Sequence, residues 1–466
     1  IGFPPAGLHT DEREASRLYL PLFLRTFMVE KFYRDFDPDM LHALDRVQTA
    51  ILEHGVFAEA MPRGKGKTTT AEGAMIWAAA YGHRACMMII ASDQAKANDI
   101  ISNIQSVCEG QCEKFCEAFP EIHHPVYSLE GRNQRAQSQH IAGTPTNMTW
   151  KADKIVFPTV GEQPSSGIVI QAKGITAKGI RGYNHHGKRP DFVLMDDPQD
   201  DESAVSEDQN KKREKIVLGT VMGLAGHDKK ISAVMTCTVI AYDDLAERFL
   251  DRENHPEWQG YRTKLVDAWP KAKRLWDKYA DIWREDIQEG KGIGRATEHY
   301  RDNQAAMDKG AKLCSTLLYD KDCEISAVQH AFNLRLEVGE TAFESEYQNQ
   351  PKTVDVSIYD ISPALIQSRI AERSVLTVPD WAKVSIVATD INQYGLHSSM
   401  VAFGNDQTAG VIWYGRLDKK GRPLAPKNTP ELQKKQLIYE ALVRHGEMIT
   451  AAKKDIDGWL IDGGWL

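Results

Sequence analysis

The stretch from Ala60 to Thr68, which reads Ala-Met-Pro-Arg-Gly-Lys-Gly-Lys-Thr, constrains this chain more than any other. An apolar run, Val56-Phe57-Ala58, leads into it, and an Ala-rich segment of helical character from Thr69 to Tyr81 leads out. A strand, a Gly-rich loop and a helix in that order let backbone N–H groups and a helix N-terminus cradle a phosphate. In that layout Lys67 reaches the β- and γ-phosphates of ATP and the Thr68 hydroxyl binds Mg²⁺. Gly64, Lys65, Gly66, Lys67, Thr68 and Thr69 are therefore the nucleotide-binding candidates. The strict pattern places a Gly five residues ahead of Gly66, where this chain has Met61. Taken alone, the motif is moderately specific, and a basic surface turn is the alternative reading. Gln48, just upstream, stands where many motor ATPases place a Gln that reads the adenine edge, and it also reads as a plain surface Gln.

A second motif weighs against the surface turn. Phe192-Val193-Leu194-Met195 is a short apolar strand that ends in the adjacent acids Asp196 and Asp197. Phosphate chemistry needs one carboxylate to hold the Mg²⁺ water shell and another to polarise the attacking water. Asp196 suits the first role and Asp197 the second. Two acids ending a strand also serve to cap a turn, but the phosphate loop upstream favours the catalytic pair.

A chain of 466 residues is long enough for two or three domains with substantial cores. At 42% hydrophobic and 26% charged it has the composition of an ordinary globular protein. A formal charge of −8 excludes wholesale coating of nucleic acid, so any DNA site must be a local basic surface. No apolar run approaches transmembrane length and no secretory pattern opens the chain, which starts at Ile1 without a Met. The expectation is no membrane association, with a few native residues ahead of Ile1. Seven Cys form no paired framework, which fits a reducing cytoplasm. Cys108, Cys112 and Cys116 recur every fourth residue on one helix face. They read as buried thiols on an apolar stripe rather than a metal site, because no Cys-x-x-Cys pair is present.

Residues 1–52 read as helical, with Leu41, Leu44, Val47 and Ile51 at helical spacing. Cys86 to Ile90 is a buried strand of the parallel type, after which Ser92 is expected to cap a helix running to about Glu109. The polar stretch from Gly131 to Lys154 reads as a loop, followed by short strands at 155–157 and 168–170. Strands alternating with helices after a phosphate loop predict an α/β fold with a parallel sheet. A further strand spans 231–240, with Thr236-Cys237-Thr238 placed where ATPases of this class put a polar sensor of the γ-phosphate. From about Trp258 to Pro379 the pattern is mainly helical.

After Pro379 the period changes. Val384 to Asp390 is a strand ending in an acid, followed by strands at 399–403 and 411–414 and a helix from Pro430 to His445. A final strand from Trp459 ends in Asp462. A meander with an acid on its first strand, then a helix and a strand ending in an acid, is the ribonuclease-H-like plan. That plan assembles metals for in-line attack on a phosphodiester, with Asp390 and Asp462 as both catalytic and metal-ligand candidates.

Taken together, these stretches resemble the large terminase subunit of tailed bacteriophages. Pro62 to Thr68 looks like that family's deviant phosphate loop, which often lacks the leading Gly and carries an Arg. Gly179 to Gly182, Arg189-Pro190-Asp191 and Asp196-Asp197-Pro198 resemble its metal-binding strand and approach, and Asp243 to Arg248 is similar to the helix after its sensor strand. Phe343 to Pro351 looks like the signature ahead of its nuclease domain, and is the most specific of these stretches.

The resemblance implies an ATP-driven motor that moves double-stranded DNA into a procapsid, and a Mg²⁺- or Mn²⁺-dependent endonuclease that cuts concatemers. It implies a P-loop ATPase with a mainly parallel sheet, a helical lid or linker and a ribonuclease-H-like nuclease. The expected divisions are a helical segment over 1–52, the ATPase core over 53–257, the lid over 258–379 and the nuclease over 380–466. Thr236 would couple hydrolysis to movement, and Asp390 and Asp462 match the first two nuclease carboxylates. Arg63 in cis and Arg181 in trans are the two candidates for an arginine finger. Implied partners are double-stranded DNA, the portal protein, the small terminase subunit and further copies in a ring. The implied location is the host bacterial cytoplasm rather than the mature virion. The family carries a third nuclease carboxylate, and this chain runs only four residues past Asp462, so a weak or inactive nuclease is expected. Two rivals remain: a helicase-like or remodelling ATPase without a cutting role, and a non-catalytic DNA-binding scaffold.

Overall fold

The computed structural model describes residues 1–226, 229–352, 363–370, 377–392, 395–405, 408–417, 429–450 and 456–462. The chain divides into two units, Ile1–Val354 and Asp355–Leu466.

The first unit is built on an eight-stranded sheet. Its strands are β1 (Val56–Ala60), β2 (Cys86–Ala91), β3 (Thr149–Lys151), β4 (Lys154–Val156), β5 (Val169–Gly174), β6 (Phe192–Asp196), β7 (Ser232–Cys237) and β8 (Tyr261–Arg262). The spatial order is β8-β1-β7-β6-β2-β5-β4-β3, parallel from β8 to β5 and antiparallel at β4 and β3. The α/β class with a mainly parallel sheet is thus as the sequence predicts. Strands buried on both faces need no alternation, and β2 is buried at every residue. Met87 and Ile89 feed one core with Phe23, Phe27, Trp77 and Phe115, while Met88 and Ile90 feed another with Met195, Met235, Phe249 and Trp258.

Two local readings are corrected. Asp93, not Ser92, caps the helix after β2, its carboxylate accepting from Lys96 N–H, and that helix runs Gln94–Ser106 before a π-turn at Val107–Gln111. The stretch that reads as a loop to Lys154 contains β3 and the start of β4, a hairpin that closes one sheet edge. Cys108 and Cys112 are fully buried and Cys116 nearly so, among Phe115, Phe119 and Ile122.

Beyond β8, the helices Lys273–Gln288, Gly294–Met307 and Ala327–Val338 enclose their own aromatic core, in which Trp276 stacks on Phe332 at 3.5 Å between centroids. In the second unit, β9 (Val384–Asn392), β10 (Gly395–Phe403), β11 (Ala409–Leu417) and β12 (Gly458–Ile461) form a sheet in the order β11-β10-β9-β12. β9, β10 and β11 are an antiparallel meander and β12 lies parallel to β9. The helix Glu431–Thr450 supplies Ile438 and Ala441 to a core with Ile391 and Leu396. Among the described residues no helix is long and apolar enough to cross a membrane.

Candidate active site

The sheet order puts β7 between β1, which leads into the glycine loop, and β6, which ends in the acid pair. Register then does the positioning: Thr236 stands opposite Glu59 on one side and opposite Asp196 on the other. The loop after β1 turns through Gly64 and Gly66, whose φ angles of +80° and +83° are strained for any residue with a Cβ. Gly66 is the N-cap of α1 (Lys67–Ala80), so the loop ends at a helix N-terminus. Met61, at the position of the missing Gly, is buried and donates its N–H to Cys237 O at 3.2 Å.

The side chains close into a network. Lys67 is buried and gives its ammonium to Thr238 Oγ1 at 2.8 Å and to Met61 O at 3.0 Å. Thr68 Oγ1 donates to Asp196 Oδ2 at 2.7 Å, and Thr236 Oγ1 donates to Asp196 Oδ1 at 2.6 Å. Burial and the neighbouring Asp197 carboxylate push Asp196 up to about 6 against the pull of those two hydroxyls. A buried carboxylate raised in this way is the group a cation would restore to its charged form. Asp197 holds a left-handed φ of 39°, its N–H donating to Thr236 O at 2.9 Å. Such strain in a non-glycine residue concentrates at functional sites.

The donor set fits Mg²⁺, which takes one or two carboxylates and a hydroxyl alongside substrate phosphates and water. Thr68 and Asp196 present that chemistry side by side. Among the described residues no group of three or more His, Cys, Asp or Glu is placed to hold a metal by itself.

The remaining candidates are placed as follows. Lys65 is buried and hydrogen-bonded to Asp37, which also caps the helix Pro38–Leu52. Thr69 borders a cleft with Tyr33, Phe36, Met40, Leu317 and Leu318. Gln48 Oε1 accepts from Leu20 N–H at 2.8 Å, at the start of the helix Leu20–Phe27. Arg63 is exposed and lies 3.5 Å from Glu346, while its N–H donates to Glu346 O at 2.9 Å. Arg181 is exposed in the loop after β5 and makes no ion pair among the described residues.

The sequence marks Thr236-Cys237-Thr238 and Phe343 to Pro351 only as stretches and gives no sign of Gln199. Within the first stretch the two hydroxyls divide: Thr238 is the partner of Lys67 and Thr236 is the partner of Asp196. Gln199 is buried and donates to Thr238 O at 3.1 Å and to Asp244 Oδ2 at 2.8 Å. Asn349, fully buried, accepts from Val239 N–H at 2.9 Å. The two adjacent carboxamides Gln348-Asn349 inside an otherwise amphipathic stretch were the available signal for the last.

In the second unit Asp390 lies on β9, near its end, and Asp462 follows β12 and donates its N–H to Thr389 O at 2.9 Å. Both line one cavity of about 830 Å³ with His397, Tyr414 and Arg416. Register sets His397 on β10 opposite Asp390, and Arg416 on β11 opposite His397. Neither His397 nor Arg416 stands out in the sequence, where each is one of many alternating strand residues.

No protein-family model matches this chain. No curated protein matches it either. Among solved structures, the HK97 bacteriophage large terminase is similar at 14% identity and a TM-score of 0.36, over 89% of this chain and 68% of that one. A large terminase from a thermophilic bacteriophage is similar at 10% identity and a TM-score of 0.32, over 92% of this chain and 78% of that one. The Thermus phage P74-26 large terminase ATPase domain is similar at 13% identity and a TM-score of 0.29, over 63% of this chain and 88% of that one. In structure, the chain resembles phage large terminases. The thermophilic phage enzyme has also been solved with ATP-gamma-S and with ADP.

Proposed function

We propose that this chain is a large terminase: an ATP-driven motor that moves double-stranded DNA into a procapsid, with a second unit that cuts DNA. The observation that carries the reading is the closed network of Lys67 with Thr238, and of Thr68 and Thr236 with Asp196, around a glycine loop at a helix N-terminus. A scaffold protein has no use for a buried lysine and a buried carboxylate facing the same loop, since each costs stability unless paired.

In this reading, ATP draws the Lys67 ammonium away from Thr238 and Met61 onto its β/γ-phosphates. Gly64, Gly66 and the first N–H groups of α1 hold the phosphate oxygens. Thr68 and Asp196 are the residues that would hold Mg²⁺, and the ion would supply charge neutralisation for phosphoryl transfer. Asp197 polarises the attacking water, and an arginine, Arg63 in cis or Arg181 in trans, screens charge on the transferring group. Thr236 keeps Asp196 oriented and Thr238 reads whether Lys67 has left. The cleft beside Thr69, walled by Tyr33 and Phe36, is where the base would lie.

In the second unit Asp390 and Asp462 would hold Mg²⁺ or Mn²⁺ at the scissile phosphate. Arg416 would clamp a neighbouring phosphate and His397 would donate a hydrogen bond to one. DNA contacts made through phosphates suit a motor that must accept any sequence. The partners of such a motor are the portal protein, the small terminase subunit and further copies in a ring, working in the host bacterial cytoplasm.

The test is ATP turnover by the purified chain beside its Lys67→Ala and Asp197→Asn variants. Both variants are expected to be silent while folded by circular dichroism, and wild-type rates in both would overturn the reading. For the finger, titrating Arg181→Ala protein into wild type should depress activity more than proportionally if Arg181 acts between copies. Strictly linear dilution would count against a role for Arg181 between copies.

A further inference from the structure

The stretch Glu346–Asn349 touches both loops of the nucleotide site at once, although it lies far from both in sequence. At its first residue, Glu346 O accepts from Arg63 N–H at 2.9 Å, which fixes the phosphate loop ahead of Gly64. At its last residue, Asn349 Oδ1 accepts from Val239 N–H at 2.9 Å, one residue after the Thr238 whose hydroxyl holds Lys67. Between them, Gln348 pairs both its carboxamide atoms with the backbone of Val266, each at 2.9 Å, as a neighbouring strand would. Tyr347 O accepts from Leu265 N–H at 2.9 Å.

Asn349 itself is over-determined. It is fully buried and holds a φ of 51°, a conformation Asn tolerates better than most residues. Its Nδ2 donates to Thr263 O at 3.0 Å, and its own carbonyl accepts from Arg262 Nη1 at 3.0 Å. Thr263 N–H in turn donates to Ala60 O at 2.9 Å, the residue at which the phosphate loop begins. One carboxamide thus spans the sensor loop and the chain beside β1. From the opposite side the sensor loop is held by Gln199 Nε2 on Thr238 O and by Asp244 Oδ2 on Ile240 N–H at 2.7 Å. Thr238 therefore sits on a short loop gripped by buried polar groups on both flanks. A buried amide left without its partner is costly, so the loop's position follows Asn349 closely.

We propose that Asn349 is a positioning residue of the nucleotide site: through Val239 it sets where Thr238 receives Lys67, and so how readily Lys67 passes between Thr238 and the phosphates. The proposal rests on the ATPase reading above. It also gives the stretch Phe343 to Pro351 a physical role, since the turn at its centre holds the phosphate loop and the sensor loop in one hydrogen-bonded frame.

The test compares Asn349→Ala, Asn349→Gly and Asn349→Asp with wild type in steady-state ATP turnover and in binding of a fluorescent ADP analogue. Asn349→Gly relieves the backbone strain but removes both hydrogen bonds, whereas Asn349→Asp keeps an acceptor for Val239 N–H. The expected result is a fall in kcat of about tenfold in the Ala and Gly variants, partial recovery in the Asp variant, and ADP affinity within about twofold of wild type throughout. A loss of thermal stability alone, with kcat unchanged in the folded protein, would reduce Asn349 to a structural role. A double-mutant cycle supplies a second readout. Thr238→Ala and Asn349→Ala should be non-additive in kcat because both act on the seat of Lys67, and strict additivity would overturn the proposal. If Asn349→Ala fails to fold, Asn349→Gly replaces it in both the turnover comparison and the cycle. Failure of the ATPase reading is distinct, because it shows as unchanged turnover in Lys67→Ala.

Discussion

Each unit of this chain carries a pair of aspartates at or near strand ends, and the two pairs live in opposite surroundings. Asp196 is buried with both carboxylate oxygens hydrogen-bonded to threonines from two neighbouring elements, and Asp197 beside it has a strained backbone. Asp390 and Asp462 are exposed on the wall of an open cavity, at register positions that bring two strands together. The first pair is set by the protein before any ligand arrives, which suits a site whose donors must not reorganise during reaction. The second pair lines an open cavity of about 830 Å³ and is exposed to solvent. Enclosure suits a small ligand that must be shut in, and an open wall suits a duplex that must slide past.

The largest expected effect falls on the enclosed site. Lys67→Ala should reduce ATP turnover by on the order of 10³-fold, because the ammonium seated inside the loop against Thr238 is lost. Plasmid cleavage in Mn²⁺ should survive that change. The converse experiment sharpens the contrast: Asp390→Ala or Asp462→Ala should reduce cleavage by about 10²-fold or more while ATP turnover stays at wild type. Coupled losses in both assays would erase the distinction between the two sites.

A smaller effect separates the two threonines. Thr238→Ala should lower kcat by about tenfold through the lost seat of Lys67. Thr236→Ala should instead raise the Mg²⁺ requirement, because its hydroxyl orients Asp196. Equal effects of both substitutions on the Mg²⁺ requirement would contradict this division.

The remaining effect concerns stability rather than turnover. Glu59 lies fully buried in β1 against Arg46, and burial pushes its carboxyl from 4.5 up to about 8 despite that guanidinium. The native state therefore keeps a proton that the unfolded chain releases above its ordinary pKa. Stability from this group is present below pH 4.5 and is lost as pH rises toward 8. Relative to an Arg46→Met/Glu59→Leu double variant, wild type should lose at most about 1.4 kcal/mol per pH unit across that window, read from urea midpoints. A pH-independent difference would show that Glu59 is charged throughout. Arg46→Met alone should be worse than the double variant, since it strands a buried carboxyl.

What can be read from the sequence follows how local each feature is. The glycine loop and the Asp196-Asp197 pair are legible because their chemistry lies in consecutive residues. Thr238 cannot be told from Thr236 in sequence, because the partners differ only in space: Thr236 meets Asp196 on the neighbouring strand, and Thr238, one residue past β7, meets Lys67 at the start of α1. Asn349 meets Val239 across 110 residues, a contact that no spacing announces. β3 and the first residue of β4 read as loop because these strands have three residues each and carry Lys151 and Lys154. Glu59 escapes notice because a single acid in an apolar run gives no sign that Arg46 waits behind it.

The most direct test of the two-site division is DNA-stimulated ATP turnover by Lys67→Ala and Asp390→Ala proteins assayed side by side with wild type. Silence is expected from the first and the wild-type rate from the second. Turnover at the wild-type rate by Lys67→Ala would contradict the assignment of the enclosed site.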